Sequence, residues 1–136
     1  MTELIERLEA ACEGSRELDA AMFRAIGAPL PDKFANLNLE LTWGPDGSAY
    51  MPVGEMQVRY DPPAYTLSID AIVAIIERKL PGWHIQVERH PDFCDATLWP
   101  SPDAPYWLTH AATMPMALCA SFLRALQAQQ ETSEDE

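Results

Sequence analysis

Apolar and polar positions change period several times along the chain, and these changes divide it into elements. Leu4, Ile5, Leu8, Ala11 and Cys12 fall on one helical face with Glu3, Glu6, Arg7 and Glu9 opposite, so a first helix is expected from a Thr2 cap to about Cys12. Gly14 and Ser15 interrupt it. Ser15 suits the cap of a second helix, Glu17 its positive end and Gly27 its close, and Leu18, Met22, Ala25 and Ile26 form its buried stripe. Pro29 and Pro31 then enforce a loop. Period two follows at Leu37, Leu39, Leu41 and Trp43, and again at Met56–Tyr60, on either side of a turn at Gly44, Pro45, Asp46, Gly47 and Ser48. A hairpin or excursion is predicted there, with Pro52 and Gly54 breaking the pattern.

The second half is more regular. Pro62 and Pro63 give a stiff approach to a helix capped at Ser68, with Asp70 near its positive end. Ile69, Ile72, Val73 and Ile76 make its main apolar stripe, widened by Ala71, Ala74 and Ile75, and Pro81 with Gly82 stops it. Trp83, Ile85 and Val87 alternate with His84, Gln86 and Glu88, which describes a strand with one wet face over 83–89. Further strands are predicted at 95–99 and 106–109, separated by a loop containing Pro100, Pro102 and Pro105. Thr113 caps a last helix that tolerates Pro115 in its first turn, and from Met114 to Leu126 only Ser121 and Arg124 are polar. So apolar a helix belongs at the centre of a core or beneath a second subunit. Strands joined by short turns are antiparallel. The predicted fold class is therefore α+β: an antiparallel sheet layered against helices, sandwich-like (α/β/α), in a single domain over residues 1–130. Within it lie a helical part at 1–27, a loop or hairpin excursion at 28–61 and a helix–strands–helix unit at 62–128.

Composition narrows the function classes. A chain of 136 residues fits one core. The net charge is -12, and the carboxylates of Glu131, Glu134, Asp135 and Glu136 account for four of those charges, so the body is acidic in its own right. Residues 131–136 contain nothing apolar and are expected to form a disordered acidic tail. An acidic body repels phosphates, so direct binding to nucleic acid or to an anionic membrane is not expected. The acidity serves solubility, or it attracts a basic partner. Cys12, Cys94 and Cys119 match neither a disulfide framework nor a zinc pattern, which points to reduced thiols in the cytoplasm. The N-terminal residues lack the basic head and apolar run of a signal peptide, and the apolar runs are too short to span a bilayer.

The order of the motifs resembles that of a known group. The run Leu4, Ile5, Glu6, Arg7, Leu8, Glu9, Ala10, Ala11, followed by Ser15, Arg16, Glu17, Leu18, Asp19, Ala20, is similar to the opening of certain small phage and prophage proteins. Pro63, Ala64, Tyr65, Thr66, Leu67, Ser68, Ile69, Asp70, Ala71, with Pro81, Gly82 and Trp83, resembles their central helix and its exit into a strand. Ala111, Ala112, Thr113, Met114, Pro115, Met116, Ala117, Leu118, Cys119, Ala120 is similar to their closing helix. These features resemble the phage ABA-sandwich domain family, over residues 1–27 and 62–128. The resemblance implies a sheet held between helical layers and an origin in a mobile element. It implies no catalytic residues.

Residues with chemical potential are few. His84, His90 and His110 lie on or beside predicted strands, and Asp92 or Asp95 is near enough in sequence to complete a metal site with two of them. Metal-ligand spacing is absent, so solvated or singly hydrogen-bonded histidines and no metal are expected. Cys94 near His90 is a weak nucleophile–base pair, while Cys12 and Cys119 fall on expected buried helix faces. No catalytic residue and no cofactor is expected. Trp99, Tyr106 and Trp107 bracket the proline loop, and Trp43 and Tyr50 flank the hairpin turn; large aromatics beside stiff backbone suit partner contacts or cap the core.

Two functions follow. The favoured one is a non-enzymatic, phage-type accessory protein that binds a host protein with a basic surface, for example by placing carboxylates in the phosphate groove of a nucleic-acid-handling defence enzyme. The alternative is a protein that binds or sequesters a small nucleotide signal, with Arg59 and Tyr60, or Trp83 and Arg89, as contacts. A two-fold homodimer is expected if the N-terminal helices leave the last helix uncovered.

Overall fold

The helix boundaries follow from caps that the chain supplies itself. In the computed structural model, which describes residues 2–26, 41–44, 48–101 and 105–134, helix α1 spans Thr2–Ala10 and helix α2 spans Arg16–Ile26. The Ser15 hydroxyl accepts the Leu18 N–H at 3.1 Å, satisfying one of the donors that a helix start leaves open. Helix α3, Ile69–Lys79, begins in the same way, with Ala71 N–H on the Ser68 hydroxyl at 3.3 Å. Helix α4, Met114–Glu134, begins with Met116 N–H on Thr113 Oγ1 at 3.4 Å. These caps are the ones the sequence pattern indicates.

Six strands form two antiparallel sheets among the described residues. The first contains β1 (Thr42–Trp43), β2 (Ala49–Val53) and β3 (Met56–Tyr60) in that order. Residues 37–40 of the strand expected here, and 45–47 of the expected turn, lie outside the described residues. A hairpin forms here as expected, and Pro52 and Gly54, which break the apolar alternation in sequence, are accommodated within it. Pro52 sits inside β2 opposite Gln57, beyond the short stretch where β1 pairs, so its missing N–H costs no bond to β1. Gly54, at φ 65, makes the turn into β3. The second sheet contains β4 (His84–Arg89), β5 (Cys94–Trp99) and β6 (Trp107–Ala111), also in chain order. The fold is α+β, with antiparallel sheets layered against helices.

Helix α4 is the centre of the core. It touches all three strands of the second sheet as well as α1 and α3, and every residue from Met116 to Leu123 is buried. Covering within one chain therefore leaves no apolar stripe on this segment that needs a second copy, and the premise for a homodimer through it falls away. Thr109 and Ser121 pin the helix to the sheet: Thr109 Oγ1 donates to the Ala117 carbonyl at 2.8 Å and Ser121 Oγ to the Ala96 carbonyl at 2.7 Å. The backbone of α4 runs helical to Glu134, into the acidic stretch expected to be disordered. Ala128, Gln129 and Gln130 favour helix, and no Gly or Pro follows to stop it.

Two expected faces are rotated. On α3 the buried residues are Ile72, Ile75 and Ile76, while Ile69 is exposed, because the helix presents its widened flank to α4. Cys12 lies beyond the end of α1 and is exposed.

A polar knot ties α2 to the segment before α3. The buried Asp19 carboxylate accepts the Thr66 N–H at 2.8 Å and the Thr66 hydroxyl at 2.6 Å through one oxygen, and Arg16 Nη1 at 3.2 Å through the other. Ser15 N–H in turn donates to Thr66 Oγ1 at 3.0 Å. Glycine is required at position 14, since a Cβ there would stand 2.1 Å from the Thr66 carbonyl oxygen. The first sheet docks on the same helix: Phe23 meets Tyr60 at 5.7 Å and Trp43 at 6.0 Å between ring centres.

Candidate functional site

The second sheet has one face on α4 and one face in solvent, and the alternation of its strands decides which residues lie where. Ile85, Val87, Cys94, Ala96, Leu98, Thr109 and Ala111 face the core side. The outer side is organised in cross-strand rows by the register. His84 lies opposite Trp99; Gln86, Thr97 and Leu108 form a second row; Glu88, Asp95 and His110 form a third. Leu108 is 44% exposed although it is a large apolar residue, so no element of the described fold covers this face.

Each end of the face has its own chemistry. At one end the His84 ring stacks on Trp99, with centres 5.3 Å apart and planes 15° from parallel. At the other, the turn between β4 and β5 closes with His90 N–H on the Phe93 carbonyl at 2.8 Å. This folds Phe93 onto the His90 ring at 4.5 Å and against the edge of His110 at 5.0 Å. His90 Nε2 is then 2.8 Å from Asp95 Oδ2 and 3.7 Å from Glu88 Oε2. The ligating atoms of Glu88, His90 and Asp95 all lie within 4.8 Å of one another.

The structure redistributes the residues singled out from sequence. Trp99 is half-buried on the outer face, and Tyr106 is 66% exposed at the approach to β6. Trp107 faces the other way. It packs on the core rim with Trp83, ring centres 5.6 Å apart, because its parity on β6 is that of Thr109 and Ala111. Trp43 and Tyr50 belong to the first sheet. Trp43 packs against Phe23 and the core beneath the Arg24 guanidinium, 4.5 Å from its ring centre, and Tyr50 is half-buried opposite Arg59. Thus Trp99 lies on the outer face of the second sheet with Tyr106 exposed just before β6, Trp107 lies on the core side of that same sheet, and Trp43 and Tyr50 belong to the first sheet.

The small-molecule set does not converge. Arg59 and Tyr60 are neighbours on β3 and point to opposite sides: Tyr60 packs on Phe23, while Arg59 Nε donates to Asp61 Oδ1 at 2.9 Å. The Arg59 and Ser48 hydrogen bonds hold the Asp61 carboxyl below its ordinary range, and burial pushes the Tyr60 phenol up. Trp83 and Arg89 stand at opposite ends of β4, about 20 Å apart at the usual rise of a strand. A groove between α1 and α2 carries Arg7 and Arg24, but Glu3 lies in it and Arg24 sits over Trp43.

Cys94 and His90 do not meet as a nucleophile and its base. Cys94 is buried on the core side with its S–H towards the Ala112 carbonyl at 3.9 Å, while His90 reaches outward to Asp95. Cys119 donates to the Tyr65 carbonyl at 3.3 Å, and burial pushes its thiol well above the ordinary range.

Of the histidines and aspartates weighed from sequence, the fold joins His90 with Asp95, and sends His84 to Trp99 and His110 to Phe93. Glu88 is the member that sequence reasoning missed. Its signal was present: two residues before His90 it shares a strand face, and a hairpin through Pro91 and Asp92 sets it opposite Asp95. Among the described residues no helix is long and apolar enough to cross a membrane. Comparison with family models, with curated proteins and with solved structures gives no match.

Proposed function

We propose that this chain is a non-enzymatic accessory protein, of the phage type its motif order resembles, that binds a basic host protein through the outer face of β4–β6. The observation that carries the reading is that uncovered face. It carries Glu88, Asp95 and exposed Phe93 at one end, exposed Leu108 in the middle row and the half-buried Trp99 ring at the other end, on a chain whose net charge is -12. Rigid aromatics anchor a partner at little entropic cost, and carboxylates on a pleated, ordered surface select a positive one. A groove built for phosphates is the kind of target such a surface fits, so inhibition of a nucleic-acid-handling defence enzyme in the host cytoplasm is the form proposed. Sequestration of a nucleotide signal is second, since Arg59, Tyr60, Trp83 and Arg89 bring no common pocket together.

The test is affinity capture from host lysate at low and high salt, with wild type compared against Glu88→Lys, Trp99→Ala and Leu108→Asp. The expected result is a basic protein held at low salt, released at high salt and lost with the face variants. Capture that ignores both salt and these substitutions would overturn the assignment, and a nucleotide copurifying with the chain would favour the second reading.

A further inference from the structure

We infer that Glu88, His90 and Asp95 form a binding site for a divalent transition-metal cation at the β4–β5 hairpin. Donor atoms around a cation with bonds of about 2.0–2.2 Å lie roughly 3–3.5 Å apart. His90 Nε2 is 2.8 Å from Asp95 Oδ2 and 3.7 Å from Glu88 Oε2, and the three ligating atoms span no more than 4.8 Å. Small side-chain rotations bring all three onto one ion.

The charge pattern supplies an independent reason. Register places Glu88 directly opposite Asp95, and like charges facing each other across a strand pair destabilise it. Arg89 is the nearest cationic residue in sequence, but by strand alternation it belongs to the other face. A divalent ion between the two carboxylates turns the repulsion into attraction while leaving the imidazole neutral, the form in which it coordinates. The ring is also held ready: Phe93 stacks on it at 4.5 Å, 23° from parallel, and the turn bond from His90 N–H to the Phe93 carbonyl fixes the backbone beneath it. Orientation by such neighbours is what separates a ligand from a mobile surface histidine.

The donor set selects the ion. One imidazole nitrogen and two carboxylate oxygens suit zinc, cobalt, manganese or ferrous iron, whereas calcium prefers an all-oxygen shell and cuprous copper prefers sulfur. Three protein ligands leave at least one coordination position for water or for a partner's side chain. The Glu88 side chain is 61% exposed, so the cluster can be reached from solvent. The site shares Glu88 and Asp95 with the outer face, and ion binding is measured on the isolated chain, apart from capture of any protein.

The experiment uses the full chain after chelation and dialysis. Co²⁺ is titrated in and followed by its visible absorption, Zn²⁺ is titrated in competition, and Glu88→Gln, His90→Ala and Asp95→Asn are run beside wild type. Expected are one ion per chain, and binding weakened by about tenfold or more in each variant. In wild type, the His90 ring resonances should shift on adding Zn²⁺ while those of His84 stay in place; this readout does not depend on any variant folding. Failure of wild type to bind, equal binding by all four proteins, or an unmoved His90 ring would each overturn the site.

Discussion

Replacing Asp19 by alanine tests the knot that joins α2 to the segment before α3. The carboxylate is fully buried and takes both the N–H and the hydroxyl of Thr66, at 2.8 and 2.6 Å. Removing it deletes two charge-assisted bonds and leaves the buried Thr66 N–H without its acceptor. An unpaired buried donor costs about 1–3 kcal/mol and a bond to a charged group contributes about 1.5–3, so a loss of about 3–5 kcal/mol is expected. The Arg16 contribution is small by comparison, because its side chain is 43% exposed and screened by water. Against a total stability of about 5–15 kcal/mol for a domain, this is a large fraction. Asp19→Asn should lose less, since an amide oxygen can still accept from the Thr66 N–H. Thr66→Val should cost about 2 kcal/mol, because it strips Ser15 N–H of the acceptor it holds at 3.0 Å. Urea unfolding followed by tryptophan fluorescence measures all three at constant slope. A double substitution at both positions should fall short of the sum of the single effects, as expected for groups sharing one network. If Asp19→Ala lies within about 1 kcal/mol of wild type, the knot is decoration and the reasoning is wrong.

Two other outcomes are expected. Burial pushes the Tyr65 phenol from its ordinary 10.0 up to about 12. Between those values the folded chain keeps a proton that the unfolded chain has lost, so stability falls as pH rises from about 10 towards 12, by roughly 2–3 kcal/mol, and Tyr65→Phe should remove that part of the slope in alkaline urea titrations. Among the cysteines only Cys12 is exposed, so brief alkylation of the native protein should add a single label at Cys12, by peptide mass spectrometry, with Cys94 and Cys119 labelled only after unfolding; early labelling of Cys119 would contradict its burial against the Tyr65 carbonyl.

Much of this protein is determined by sequence alone, where the physics is local. Ser15, Ser68 and Thr113 cap their helices because a short hydroxyl side chain reaches an N–H three residues on, and nothing distant enters that geometry. Period two over β4 likewise separates Ile85 and Val87 from His84, Gln86 and Glu88 before any partner strand is known. The tertiary structure decided what depends on closure of the chain. Whether α4 needed another subunit could not be read from its own apolar run; α1, α3 and the second sheet bury it within the one chain. Trp107 looked equivalent to Trp99 because both border the same proline loop, yet strand parity turned one onto Trp83 and the other onto His84. Asp19 and Thr66 are 47 residues apart, and a carboxylate in the first turn of a helix has a sufficient local reason to be there, so its burial gave no sign in sequence. Glu88, His90 and Asp95 became one cluster only through hairpin register, since a shift of a single residue would send Asp95 to the core side. Side-chain period is written locally in the chain; which faces meet, and which face stays open to solvent, is settled only when the elements pack.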